Sequence, residues 1–492
     1  MTIVKYFESA LRRQVVRSVS LERVAEAMGG TLAGEATRLS VSSVCTDTRQ
    51  VARKDLFFAL KGPNFDGHAF LEKARRGGVK AAVVAARNPL ANEFREARPA
   101  FPLVVVGDTL RALGDLAAMV RSGLELTAVG ITGTTGKTST KDFLASILSQ
   151  DRRVCAARGS FNNEVGLPLT IFEASGKDRV LIAEMGARRP GDIERLCSIA
   201  QPDLGVVTNI GPGHLVNFKT LDTVASTKSE LGRCLPETGQ LLLSASDPWT
   251  PKLARRSRAG VVRFGKGKGS SYRAERVRLD AMARASFELA GPGFSVEVEL
   301  PAVGRHQVDN ALAAAACAHV MGSGPEQIKR GLESSSLSPW RTECVECAGG
   351  YLVINDAYNA NPQSMSAAIE TLCEAADGRR KIAVLGCMEE LGASSREFHF
   401  EAGRQAARRG VDIVVTVGRK ARDIASGASE AGLPKGSTFR CDDAEDATRL
   451  LSYILEQGDV VLVKASRVSR LESLSDEITS PAFAGRKLVT DV

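Results

Sequence analysis

Lys137 and Thr138 stand directly after a pair of spaced glycines, in Gly133-Thr134-Thr135-Gly136-Lys137-Thr138-Ser139. The chemistry such a run supports is the holding of a nucleotide's phosphates. Backbone N–H groups and a helix N-terminus face the anion, a lysine reaches its terminal oxygens, and a hydroxyl takes a place on Mg²⁺. The β-branched run Thr127 to Thr132 reads as a buried strand leading into this loop, and residues 141–150 carry helical spacing of apolar residues. The strict phosphate-loop pattern asks for glycine five residues before Gly136, where this chain has Ile131, so the spacing is a shorter variant. A plain glycine turn joining a strand to a helix is the competing reading.

Other residue types with chemical potential fall at strand ends. Glu184 closes the apolar run from Val180, and His214 follows the run Leu204 to Gly211. In a parallel sheet the C-terminal strand ends converge on the ligand crevice, so both face the phosphates held by Lys137. The carboxylate suits Mg²⁺; His214 alone reads more readily as a hydrogen-bonded structural residue than as a ligand. Lys228, in a helical stretch, reads by itself as a solvated surface lysine. Asn162 and Asn163 lie in a polar loop. Asn310, ahead of an alanine-rich helix expected over 311–321, reads as an N-cap or as a base-reading amide. Thr48, Arg49 and Lys61 sit at strand ends that suit either a phosphorylated ligand or a surface turn.

Positioning these groups takes a long chain. At 492 residues, with 43% hydrophobic and 25% charged residues, the composition is that of a globular α/β protein of about three domains. Residues 1–124 alternate short strands and helices into a small α/β module. Residues 125–338 hold the phosphate loop on a mostly parallel sheet followed by an antiparallel set. Residues 339–492, after the Ser/Pro-rich stretch 334–339, alternate strands and helices as a Rossmann-like unit without the dinucleotide fingerprint. Residues 1–124 carry 19 Lys and Arg against 12 Asp and Glu, so +7 of the net +8 lies there, which suits an acidic ligand. Aromatic residues are too few to build a base-stacking surface, so no nucleic-acid partner is expected. No apolar run is long enough to span a bilayer. Met1 to Ser18 lacks the apolar centre of a secretion signal and reads as a short helical extension. The ten cysteines form no dense framework, which points to a reducing cytoplasm. Cys344 and Cys347 lack the further ligands that zinc requires.

Taken in order, these segments resemble the Mur ligases, the ATP-dependent amide-forming enzymes that assemble the peptide of bacterial cell-wall precursors. The resemblance runs from about Leu21 to Leu488. It rests on Thr132-Gly-Thr-Thr-Gly-Lys-Thr138, Asp47-Thr-Arg49, Asp55-Leu-Phe-Phe-Ala-Leu-Lys-Gly62, Phe65-Asp-Gly-His68, Asn355-Asp-Ala-Tyr-Asn-Ala-Asn-Pro362 and Leu385-Gly-Cys-Met-Glu-Glu-Leu-Gly392. Within the family the pattern is most similar to the members that join D-alanyl-D-alanine to UDP-N-acetylmuramoyl-tripeptide through an acyl phosphate, and the resemblance implies those two substrates. It also implies ATP and Mg²⁺ as cofactors, a cytoplasmic location and a monomeric enzyme.

The resemblance further implies site residues. Thr138, Glu184 and His214 match magnesium positions, and Lys228 matches a lysine carbamylated in related ligases. Asn310 matches an adenine contact; Arg341 and Asp356 match residues of the last domain that reach the nucleotide on closure. Thr48 and Arg49 resemble part of the UDP-sugar pocket, and Asn162 and Asn163 the loop beside the acyl phosphate. Tyr358, Asn359 and Asn361 fall in the stretch expected to meet the dipeptide. Ser160, Gly213 and Gln307 depart from the family's usual Asn, Ala and Asn. The ligases that add diaminopimelate as the third residue carry Asp-Asn-Pro-Arg in the last domain; no such tetrapeptide occurs here. An inactive nucleotide-binding homologue is the remaining rival.

Overall fold

The computed structural model describes residues 14–36 and 38–483; Met1–Arg13 lie outside them. Of the helical extension expected up to Ser18, the described part is instead extended. Gln14–Ser20 is a strand antiparallel to Ser40–Cys45, as its valines favour.

Four sheets organise the chain. The first has six strands in the order Gln14–Ser20, Ser40–Cys45, Asp55–Phe58, Ala81–Ala85, Leu103–Val106, Thr31–Ala33. Its inner four are parallel and its two edge strands antiparallel. The second, which carries the phosphate loop, runs Gly260–Phe264, Gln240–Ser244, Leu204–Val207, Thr127–Thr132, Val180–Glu184, Val154–Ala156, all parallel. Thr127–Thr132 therefore lies between the strands that end in Val207 and Glu184. Chain order reverses about it, which opens a crevice at the C-terminal strand ends. Strands buried on both faces read as continuous apolar runs, and Thr127–Thr132 is buried from Ala128 onward.

One face of this second sheet is covered by the helices Lys137–Leu148 and His306–Val320 and by the antiparallel sheet Arg273–Leu279, Arg284–Gly291, Phe294–Val303. The other face shares a core with the first unit, whose helix Thr109–Ser122 lies against Gly166–Glu173 and Asp192–Ala200. Leu113 and Leu116 of that helix are fully buried, each worth about 1.5–3 kcal/mol relative to exposure. Arg121 adds a buried tie across the seam, its Nε donating to the Ala200 carbonyl at 2.9 Å. The last sheet runs Glu343–Glu346, Leu352–Asp356, Val460–Lys464, Lys381–Leu385, Ile413–Val417, Thr438–Cys441, parallel except at its first edge, with helices on both faces. Its C-terminal strand ends point to the same space as those of the second sheet. All ten cysteines are free.

Candidate functional site

Between the second and last sheets lies a cavity of about 1420 Å³. On one wall the loop Gly133–Gly136 turns through two left-handed glycines, with φ +146° and +78°. A Cβ at Gly133 would stand 1.9 Å from Thr208 Oγ1, and one at Gly136 would stand 2.1 Å from Asn310 Oδ1, so both positions need glycine for space as well as conformation. The helix begins at Lys137, four residues earlier than the apolar spacing implied, because the polar first turn Lys-Thr-Ser-Thr carries no periodic signal. Its N-cap is Gly136 and no side chain caps it, which leaves the first-turn N–H groups for an anion.

The neighbouring strand end holds the loop in shape. Thr208 Oγ1 donates to the Thr135 carbonyl at 2.6 Å, and Asn209 accepts from the Thr135 amide at 3.0 Å. Thr132 Oγ1 donates to the Met185 carbonyl at 2.8 Å, and Thr134 Oγ1 accepts from the Gly211 amide at 2.9 Å. Lys137 folds back on its own loop, donating to the Gly133 carbonyl at 2.8 Å. Burial pulls it below the ordinary lysine range; Glu184 opposes that shift and Arg341 adds to it.

Thr138 Oγ1 donates to Glu184 Oε2 at 2.8 Å, and Asn162 Nδ2 to Glu184 Oε1 at 2.8 Å. Glu184 is only 1% exposed, a buried carboxylate that accepts hydrogen bonds from the neutral donors Thr138 and Asn162. Such a group favours a cation beside it. Among the described residues no three His, Cys, Asp or Glu side chains gather to hold a metal. The donor set, a carboxylate and a hydroxyl beside a phosphate cradle, is one that Mg²⁺ accepts, since it keeps phosphate and water ligands of its own. Lys228, read from sequence alone as a solvated lysine, is 3% exposed. Its amine is pushed down to about 7 by burial first and by Lys137 second, with Glu230 and Asp192 working the other way.

The facing wall comes from the last unit. The Arg341 guanidinium lies 4.4 Å from the Tyr358 ring centre, and its buried Nε has no protein partner. Asp356 Oδ2 pairs with Nζ of Lys464 at 2.5 Å, and Lys464 also donates to the Asn359 carbonyl at 3.1 Å. Tyr358 OH meets Ser160 Oγ across the interface. Asn361 caps the helix Pro362–Ala376 through a reciprocal bond with Ser364. His214, at the mouth, contacts the carboxylate of Glu390 through Nδ1. That contact holds the Glu390 carboxyl below its usual range.

Asn310 does not cap a helix. The helix starts at His306 and Asn310 lies in its second turn, 7% exposed, donating to Gln307 Oε1 at 2.9 Å while its Oδ1 presses on Gly136. Asn163 accepts from the Val165 and Gly166 amides and so starts the helix Gly166–Glu173, although it also lines the cavity. Thr48 and Arg49 are not among the lining residues; Arg49 is paired with Asp47 at 2.6 Å on the first unit's surface. Sequence reasoning passed over Asn209, Lys464, Glu390 and His306. Asn209 and Lys464 each end or follow an apolar strand, the same signal that exposed Glu184. Glu390 lies inside a quoted motif but received no role.

A cradle of this kind, faced by a second parallel sheet that supplies an arginine, defines a nucleotide-using enzyme closed by its last unit. Three family models match in order: "Mur ligase family, catalytic domain" over residues 40–121, "Mur ligase middle domain" over 131–318 and "Mur ligase, glutamate ligase domain" over 340–467. The chain is 37% identical over 506 residues to the UDP-N-acetylmuramoyl-tripeptide--D-alanyl-D-alanine ligase of Mycobacterium tuberculosis, covering 95% of this chain and 99% of that one. Its fold is similar to MurF from Acinetobacter baumannii, with TM-score 0.85, 30% identity and coverage of 94% and 99%. It is also similar to MurF ligase from Thermotoga maritima in complex with ADP, with TM-score 0.77, 29% identity and coverage of 91% and 98%. The chain belongs to the Mur ligase family.

Proposed function

We propose that this chain is the ATP-dependent ligase that adds D-alanyl-D-alanine to UDP-N-acetylmuramoyl-tripeptide, in the cytoplasm, during assembly of peptidoglycan precursors. The observation that carries the reading is the shared cavity. A phosphate loop on one wall faces Arg341 on the other, with Glu184 buried between them. The near full-length likeness to ligases bearing that name supports the choice of substrates.

A carboxylate resists amines because its leaving group is poor. The γ-phosphoryl group of ATP passes to the tripeptide's terminal carboxylate, giving an acyl phosphate and ADP. The dipeptide amine then attacks the acyl carbon, a proton leaves the nitrogen, and orthophosphate departs. Lys137 and the free N–H groups of the helix Lys137–Leu148 hold the phosphates, and Arg341 offsets charge on the transferring group. Thr138, Glu184 and His214, with a carbamate at Lys228, would hold Mg²⁺, which neutralises phosphate charge when bound. Carbamate formation needs a neutral amine and bicarbonate-derived CO₂; burial of Lys228 supplies the first. Thr48 and Arg49 are assigned to the UDP-sugar, Asn162 and Asn163 to the acyl-phosphate side, and Tyr358, Asn359 and Asn361 to the dipeptide. Thr132 to Ser139, Asn310 and Asp356 are assigned to ATP.

The division at residues 1–124, 125–338 and 339–492 and a monomeric state complete the proposal. Among the described residues no helix is long and apolar enough to cross a membrane. The test is orthophosphate release by the purified chain with ATP, Mg²⁺, bicarbonate and the tripeptide nucleotide. Release that depends on the dipeptide supports the reading. Release driven by single amino acids, or none with any acceptor, overturns it.

A further inference from the structure

Arg467 follows the strand Val460–Lys464 into the cavity, and the reaction as described leaves it without a task. Its guanidinium lies over the Trp340 ring, 5.4 Å from the centre, and over the Tyr358 ring at 5.6 Å. The Arg341 guanidinium lies over the same Tyr358 ring at 4.4 Å. Rings and cations therefore alternate in the series Trp340, Arg467, Tyr358, Arg341. Burial pushes the Tyr358 phenol up; Arg341 and Arg467 pull it down and Glu184 raises it, which places the series beside the buried carboxylate of the central wall. The backbone is shaped for this arrangement. Trp340 and Thr342, on either side of Arg341, are non-glycine residues with φ of +60° and +54°. Such conformations persist only where the surroundings over-determine them, and they gather at functional sites. Here the Tyr358 amide donates to the Trp340 carbonyl at 3.4 Å, and Gln307 Nε2 donates to Thr342 Oγ1 at 3.3 Å. The turn that carries Arg467 is tied as well, since Ser466 Oγ donates to the Ala360 carbonyl at 3.2 Å.

Stacking occupies the face of a guanidinium and leaves its edge, where N–H donors fork in the geometry of a carboxylate. The reaction brings two anions to this side of the cavity: the transferring phosphoryl group, matched with Arg341, and the C-terminal carboxylate of the dipeptide. Two other cations that the last unit brings to the cavity are already engaged. Lys464 is 1% exposed on Asp356, and Lys420 holds both Glu389 oxygens, at 2.7 and 2.8 Å. We propose that Arg467 is a specificity residue for the incoming dipeptide and takes its C-terminal carboxylate, one ring away from the arginine that meets the phosphoryl group. Two extended residues span about 7 Å, and one residue about 3.5 Å. With the amine at the acyl carbon beside Arg341, the spacing that Tyr358 sets between the two guanidinium groups suits a dipeptide and leaves the carboxylate of a single amino acid short. The inference rests on the ligase reading and deepens it.

The test is steady-state kinetics of the full chain with saturating ATP, Mg²⁺, bicarbonate and tripeptide nucleotide, comparing D-alanyl-D-alanine with its C-terminal amide. The amide keeps the amine and both methyl groups and lacks only the negative charge. The wild type is expected to prefer the acid by about 10²-fold in kcat/KM, the scale of one desolvated charge pair. Arg467→Ala loses that preference by raising KM for the acid, with KM for ATP within twofold of wild type. Arg467→Lys, which keeps a charge, restores part of the preference, and Lys420→Ala keeps all of it. A purely structural part in the stack would lower both substrates together and leave their ratio intact, so that result overturns the inference. So does a wild type indifferent to the terminal charge, or a ratio that collapses in Lys420→Ala instead. A wild type that releases no orthophosphate with the dipeptide overturns the ligase reading itself, which separates the two failures.

Discussion

The two walls of the cavity are built on opposite plans. On the central wall the phosphate loop is complete without a ligand. Thr132, Thr134 and Thr135 are tied to neighbouring strand ends, and even Lys137 rests on the loop's own carbonyls. On the wall from the last unit the groups aimed inward are less settled. Arg341 leans on an aromatic ring with its buried Nε unpartnered. A buried polar atom without a partner costs about 1–3 kcal/mol, so Arg341 is completed by the charge it meets as the phosphoryl group transfers. The first wall recognises phosphate by preorganisation; the second is stabilised by what it closes on.

That contrast breaks if the two cations behave alike. Lys137→Met removes the lysine from the preformed wall, so ADP affinity in the absence of other substrates and turnover should both fall, the latter by about 10³-fold. Arg341→Ala should lower kcat by about 10²-fold while leaving binary ADP affinity and binding of the UDP-substrate nearly unchanged. Calorimetry on the two binary complexes beside steady-state kinetics decides between them. Equal losses of ADP binding in both variants would mean that the last unit contributes to ground-state recognition and that the walls do not differ as described.

A smaller effect sharpens the same comparison by leaving the cavity altogether. Arg49 belongs to the first unit, away from both walls, with its guanidinium on Asp47. Arg49→Ala should raise KM for the UDP-substrate about tenfold, near 1.4 kcal/mol, with KM for ATP and kcat within twofold of wild type. A matching change in the ATP parameters would place Arg49 in the nucleotide machinery instead.

Much of the central wall was legible because its chemistry is contiguous: strand, glycines, lysine and hydroxyl occur within thirteen residues. The apolar strands were equally plain, and Thr127–Thr132 falls on the expected residues. What the sequence hid was pairing over distance. Nothing local marks Glu390 as the contact of His214, or Lys464 as the counter-ion of Asp356, since each pair is made by packing between strand ends far apart in the chain. Polar helix starts were hidden too. The helices beginning at Lys137 and His306 open with residues that break apolar periodicity, so each starts earlier than its apolar spacing implies, and of the two readings of Asn310 the cap fails. Antiparallel edge strands such as Glu343–Glu346 carry too little apolar signal to be read.

Lys228 tests the preformed wall through stability rather than turnover. The folded chain releases this proton near pH 7, whereas an unfolded lysine keeps it to about 10.5. Between those values the unfolded state binds more protons, so the lysine's penalty on folding shrinks as pH rises and is fully present below pH 7. Lys228→Met replaces the buried amine with an apolar chain of similar length. In CO₂-depleted buffer its Tm should exceed that of the wild type by about 5 °C at pH 6, with the gap closing toward pH 10. A less stable variant at pH 6 would mean that attraction to Glu230 and Asp192 outweighs burial, reversing the order of causes given above. Adding bicarbonate should then change the wild-type Tm above pH 7, where the amine is neutral and can take up CO₂, and leave it unchanged at pH 6. Lys228→Met should respond at neither pH, because a thioether has no nitrogen to carbamylate.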